Sequence, residues 1–251
     1  AYTDRLAELD PLAATEMGIP GHDHQMTDLS PEGHAELARL SRETLARLAT
    51  AEPADDVDAV TVAAMTDRLQ LALDLHEAGE FEGQLNVIAS PLQALRDVLD
   101  LMPTATTDDW ANIAARVSKV PWAVHGYIES LRSAARRGLV PAALQVQEGI
   151  KQAAELADPS SSFFVTFLAG ATPDGSPAEG ALANDLAMAG RKAAQAYGEL
   201  VAFLGDELAG QAPADDAVGR DRYALWSREF VGDAVDLDET YEWGLEELAR
   251  M

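Results

Sequence analysis

From Ala178 to Gly210 the apolar residues Leu182, Leu186, Ala189, Ala193, Tyr197, Val201, Leu204 and Leu208 recur at spacings of three and four. That period predicts one helix of roughly thirty residues, roughly 45 Å long at 1.5 Å per residue. A helix of this length needs a partner along it, and only short helices are predicted to follow it, so its stripe is expected to keep a free, adhesive side.

A second stretch, LNVIASPLQALRDVLDLMP over residues 85–103, organises the middle of the chain. Ser90 followed by Pro91 is a helix start, with the serine as cap and the proline at the first position, where its missing N–H is harmless. Pro103 stops the helix. Leu92, Leu95, Leu99 and Met102, widened by Val98 and Leu101, leave little of it to face water. Arg96 and Asp97 are therefore the awkward residues, because charges in a mostly buried helix need a partner or a cavity.

The other segments read the same way. Residues 1–18 form a short helix broken at Asp10-Pro11 and closed at Gly18, and the loop IPGHDHQMTDL follows. Ser30-Pro31 opens a helix with a one-sided stripe that ends before Glu52-Pro53. Asp55 or Asp56 caps a long helix to about Gly79 that is apolar around much of its circumference between Leu69 and Leu75. Thr107-Asp108-Asp109 caps a helix carrying Trp110, Ile113 and Val117; Pro121 kinks it, and it runs on through Tyr127 and Leu131 to Gly138. Another helix spans Pro141 to Asp158-Pro159. SSFFVTFLAG, residues 161–170, is apolar without a clear period, and the turn-rich stretch after it makes 159–177 the place for a domain boundary. GRDRYALWSREFVG and a helix capped by Asp236 or Asp238 close the chain. With no alternating strand pattern and no repeat, the predicted fold is all-α, a bundle-like assembly of antiparallel helices with one or two long members.

Composition narrows the function. The chain has 251 residues, no cysteine and a formal charge of −25. It can bury a sizeable core as one large or two small domains, without disulfides or cysteine-bound metal. The charge repels nucleic acid phosphates and anionic membrane surfaces, so neither is an expected partner. No apolar run is long enough to span a bilayer and AYTDRLAELD is not a signal peptide, so a cytoplasmic location is expected.

Motifs add little. His22 and His24 flank Asp23 on a loop with no third ligand in view. His76 and Glu80 stand one helical turn apart, but Glu80 occupies the place where a zinc helix needs a second histidine. The acidic groups stand at helix starts, where they cap backbone N–H groups, and lack the order of a calcium loop. No GxSxG and no Gly-rich phosphate loop occurs. The basic cluster Arg132, Arg136 and Arg137 suits the last turns of its helix, and Trp110, Trp122, Trp226 and Trp243 read as packing residues.

Three stretches carry a resemblance: LDPLAATEMGIPGHDHQMTDLSPEG, HEAGEFEGQLNVIASPLQALRDVLDLMPTATTDDW and DRYALWSREFVGDAVDLDETYEWGLEEL. In order and spacing the chain resembles the first half of the bacterial family called domain of unknown function 885. That resemblance implies a larger helical protein similar to zinc peptidases, whose His-Glu and Gly-His-His metal motif lies in the second half. This chain stops before it, and its last helix has no stop signal. It is thus expected to be an amino-terminal half, with no catalytic residue, metal ligand or cofactor of its own, inactive alone, and meeting a second half or itself through exposed apolar helix faces. Arg96, Asp97 and Tyr223 are the residues the resemblance places near a cleft for a peptide or small-molecule substrate, with Arg96 on a substrate carboxylate and Tyr223 as a hydrogen-bond donor. The alternative is a non-catalytic helical interaction or scaffold protein.

Overall fold

The computed structural model describes residues 1–251, and every regular element in it is helical. In chain order these are α1 (Tyr2–Leu9), α2 (Pro11–Glu16), α3 (Pro31–Leu48), α4 (Asp56–Ala78), α5 (Pro91–Asp97), α6 (Thr107–Val117), α7 (Val120–Arg136), α8 (Ala143–Ala157), α9 (Phe163–Ala169), α10 (Gly180–Phe203), α11 (Arg220–Val231) and α12 (Leu237–Arg250). The all-α expectation holds. No helix is long and apolar enough to cross a membrane.

The chain divides into two compact units. The first comprises Ala1–Leu40 and Gly79–Asp216, the second Ser41–Ala78 and Ala217–Met251. The expected boundary at 159–177 is not where the division falls, because that stretch lies inside the first unit. Its apolar part folds as α9, whose Phe164 and Leu168 are buried. A seven-residue helix is too short to display a period, which is why the segment read as irregular.

In the first unit α10 is the central element, packed against α6, α7, α8 and α9. Leu186, Ala189, Ala193, Tyr197, Leu200 and Phe203 are all buried, while Asp185, Lys192 and Glu199 face out. The expected adhesive side of the 178–210 helix is therefore absent: its stripe is covered by helices that precede it in sequence. Past Phe203 the chain continues as a π-helical turn, Leu204–Leu208, and a 3₁₀ turn, Ala209–Gln211, still burying Leu204 and Leu208. Each large apolar side chain so enclosed contributes about 1.5–3 kcal/mol.

The 85–103 stretch is less buried than its composition suggests. α5 lasts two turns and tightens into a 3₁₀ segment, Val98–Leu101. Asp97, Asp100 and Leu101 are exposed. Two boundaries also move. The cap of α6 is Thr106, whose hydroxyl accepts from Asp109 N at 3.2 Å while Asp109 accepts from Thr106 N at 2.8 Å. Pro121 separates α6 and α7 rather than kinking one helix, since a proline in the first turn of α7 cannot donate to the helix before it.

In the second unit α11 packs on α4. Leu69, Leu71, Leu73 and Leu75 of α4 are buried, and their two-residue spacing carries burial around the helix, as expected. Neither α11 nor α12 contains a buried residue. Of the tryptophans, Trp110 is buried and Trp226 half-buried, but Trp122 and Trp243 are exposed. Trp122 points away from the Val120, Val124 and Tyr127 stripe of its own helix, which explains its exposure.

Candidate functional site

The loop before α5 is held by amide side chains. Gln93 Oε1 accepts from Ser90 N at 2.9 Å and from Ser90 Oγ at 2.7 Å, so the glutamine caps the serine rather than the serine capping free backbone donors. Gln93 Nε2 donates to Asn86 O at 2.9 Å and to Gln152 Oε1 at 2.6 Å, and Gln152 Nε2 donates to Val87 O at 3.1 Å. Two buried tyrosines complete the frame: Tyr127 Oη donates to Gln84 O and Tyr197 Oη to Leu92 O, each at 2.7 Å. Burial pushes both phenols well above the ordinary tyrosine range.

On this frame Arg96 is held at three points. Its guanidinium lies 4.2 Å from the centroid of the Phe163 ring, Nη1 donates to Asp97 Oδ1 at 3.1 Å, and Nη1 also donates to Asp100. Partial burial works against its charge, but the hydrogen bonds to Asp97 and Asp100 outweigh it, and its pKa is raised. Phe163 stacks on Phe167, centroids 5.0 Å apart, and Phe167 meets Trp110 at 5.3 Å. The result is a partly exposed row of a cation and aromatic rings beside two carboxylates.

A second polar centre lies under the loop joining α2 to α3. Arg116 of α6 is fully buried. Its Nε donates to Gln25 O at 2.8 Å, and Nη2 donates to His22 O at 2.9 Å, Thr15 Oγ1 at 2.9 Å and Pro11 O at 3.2 Å. Asp23 Oδ1, 4.0 Å from Nη2, is the nearby carboxylate. Desolvation lowers the arginine's pKa and Asp23 opposes that shift. Lys119 Nζ fastens the same loop through His24 O at 2.6 Å.

Along α7 and the end of α10 runs an open groove of about 480 Å³. There Arg132 holds Glu207 through two hydrogen bonds at 2.9 and 2.7 Å, and His125 Nε2 lies 2.6 Å from Glu199 Oε2. The hydrogen bond from Arg132 keeps the Glu207 carboxyl below its usual range. Two further carboxylates, Glu80 and Glu82, are buried, and Arg137 approaches Glu82 at 3.6 Å. No group of three or more His, Asp or Glu side chains is arranged to hold a metal ion.

Residues 11–251 match the family described as "Bacterial protein of unknown function (DUF885)". The chain belongs to this family. No curated protein matches it. A solved structure described as "the putative lipoprotein from Colwellia psychrerythraea" has the same fold, with a TM-score of 0.74 at 16% identity. The alignment takes in 99% of this chain and 47% of that one, so this DUF885 chain spans about half the length of the solved structure it matches.

Of the residues expected near a cleft in this DUF885 protein, Arg96 and Asp97 come together as an ion pair on the first unit. Asp97 is exposed and pairs with Arg96, which is itself half-buried, so the expectation of a mostly buried pair holds for Arg96 only in part. Tyr223 belongs to the second unit, on α11, with 58% of its surface exposed. Sequence reasoning missed Arg116. The available signal was a cation beside the apolar stripe of Trp110, Ile113 and Val117. It also missed Gln93 and Gln152, whose role depends on residues about sixty positions apart and has no local signature.

Proposed function

We propose that the chain is the amino-terminal helical half of a zinc-dependent, peptidase-like hydrolase of the DUF885 family, and that the metal ligands and general base belong to the other half. The observation that carries the reading is the uncovered apolar face of α12, where Tyr241, Leu245 and Leu248 are exposed on successive turns, with Phe230 and Val231 exposed on α11. A contiguous apolar face of this kind marks an interaction surface. Family membership and the 47% span of the solved relative support the same reading.

Within it, Arg96 binds a substrate carboxylate. Phe163 fixes the plane of its guanidinium, and Asp97 and Asp100 balance its charge until an anionic group exchanges with one of them. Tyr223 is exposed on the second unit and offers a hydroxyl donor of its own there. The substrate is a peptide or small molecule, the location is cytoplasmic, and the chain alone has no activity.

The apolar face also suits a non-catalytic scaffold, and one experiment separates the two. The isolated chain is expected to bind a hydrophobic dye and to self-associate in sedimentation velocity. Adding the separately expressed second half of a family member should displace the dye and bring zinc-dependent hydrolysis of a peptide library. A monodisperse monomer that binds no dye contradicts the half-protein reading. Dye displacement without hydrolysis favours the scaffold.

A further inference from the structure

A pocket of about 240 Å³ opens between α9, the chain leading to α10, and α10 itself. Leu168 and Leu186 are buried and form its floor, Val165 and Ala183 line its side, and Ala187 and Arg191, one helical turn apart on α10, stand exposed at its mouth. The pocket exists because α10 presents small residues here. At Gly190 the helices approach so closely that a Cβ would lie 2.8 Å from Phe164 O, while about one and two turns earlier Ala187 and Ala183 leave space unfilled.

Arg191 has no carboxylate within ion-pair distance. The reason is local: its neighbours at three and four residues are Ala187, Met188, Ala194 and Gln195, none charged. Elsewhere the same spacing is used, since Arg96 pairs with Asp100, Arg132 with Glu129 and Lys151 with Glu148. Two acids adjoin lining residues in sequence, and neither pairs with Arg191: Asp158 accepts through Oδ1 from Ser160 N at 2.7 Å and Ser160 Oγ at 2.6 Å, and Glu179, beside Ala178, is exposed. In a chain with 43 acidic and 18 basic residues, a cation left unpaired at the mouth of an apolar pocket selects for an anion.

We propose that this pocket binds a small monocarboxylate with an apolar body, the body seated on Leu168 and Leu186 and the carboxylate paired with Arg191. Size sets the class. An apolar cavity of about 150 Å³ accepts benzene, so this pocket takes one ring with one or two further atoms, and it falls below the roughly 300 Å³ of drug-sized sites. The site lies wholly within the first unit and does not depend on a second half of the protein.

The test is a fluorine NMR titration of the 251-residue chain with 4-fluorophenylacetate and, as its neutral match, 4-fluorophenylacetamide. The acid is expected to bind with a dissociation constant on the order of 1 mM, in keeping with about ten heavy atoms. The amide should bind about fivefold more weakly. Arg191→Gln should bring the acid down to the level of the amide, and Ala187→Phe, which fills the mouth from an exposed position, should remove both. Equal binding of acid and amide to the native chain, or acid binding that survives Ala187→Phe, overturns the assignment, as does no binding at all.

Discussion

The two units of this molecule are built from the same kind of helix and differ in what their helices bury. In the first, α10 is enclosed by four others and its stripe from Leu186 to Leu208 is buried apart from the half-buried Val201. In the second, α11 and α12 bury no residue at all, and Phe230 and Leu248 are 86% and 71% exposed. α11 is fastened to α4 largely by charge: Arg228 reaches Asp67 and, at 3.7 Å, Asp74, and Arg68 reaches Glu229. Partly exposed ion pairs contribute about 0–1 kcal/mol each, whereas a buried leucine contributes about 1.5–3 kcal/mol. An amphipathic pattern therefore does not by itself stabilise a helix; its stripe must be covered.

The largest effect that would break this contrast is at Arg116. Replacing it by Met leaves the carbonyls of Pro11, His22 and Gln25 without their donor, and the expected loss is about 3–5 kcal/mol, read as a fall in the midpoint of urea unfolding. A loss below about 1 kcal/mol would mean that the loop over Arg116 is not part of the packed unit.

Next comes the buried tyrosine frame. Tyr197→Phe should lose about 1–2 kcal/mol through the orphaned Leu92 carbonyl. Tyr127 and Tyr197 have folded pKa values raised above the unfolded value by burial, so the unfolded chain releases their protons first. Their contribution is intact below about pH 10 and is lost as pH rises above it. Denaturation curves should thus weaken steeply above about pH 10, and the double Phe variant should flatten that slope. An unchanged slope would show that the two hydroxyls titrate freely.

A smaller effect is expected at the α6 cap, where Thr106→Ala should cost about 1 kcal/mol in the same urea assay. The smallest lies in the second unit. Leu245→Ser on α12 should change stability by less than about 0.5 kcal/mol while reducing dye binding, because about half of the residue's surface, 51%, already meets water. Amide exchange sharpens the same comparison: α12 should exchange orders of magnitude faster than α10. Comparable protection of the two helices would mean that the α12 face is covered.

Much of the candidate site was invisible in sequence for a definable reason. Arg96 and Asp97 stood out because a charged pair interrupts an apolar run, a purely local signal. That Arg96 rests on Phe163, sixty-seven positions away, depends on the placing of α9, a helix too short to announce itself. Arg116 is held by oxygens from Pro11 to Gln25, again a long-range arrangement. The single cation at the mouth of the apolar pocket was legible only in part: the uncharged neighbours of Arg191 can be read off the chain, but the cavity beside it cannot.

The sequence by itself determined several of the helix boundaries. Asp10-Pro11, Pro31, Asp55, Pro91, Gly138 and Asp236 punctuate the chain in the structure much as their chemistry requires, because caps, proline and left-handed glycine act within one turn of backbone. Only the tertiary structure decided which stripes are covered. The 178–210 stripe and that of α12 look alike as patterns, yet the first is buried by α6 to α9 and the second is open. Periodicity specifies an apolar face, but burial is a relation between that face and residues far away in the chain, and local chemistry does not carry that information.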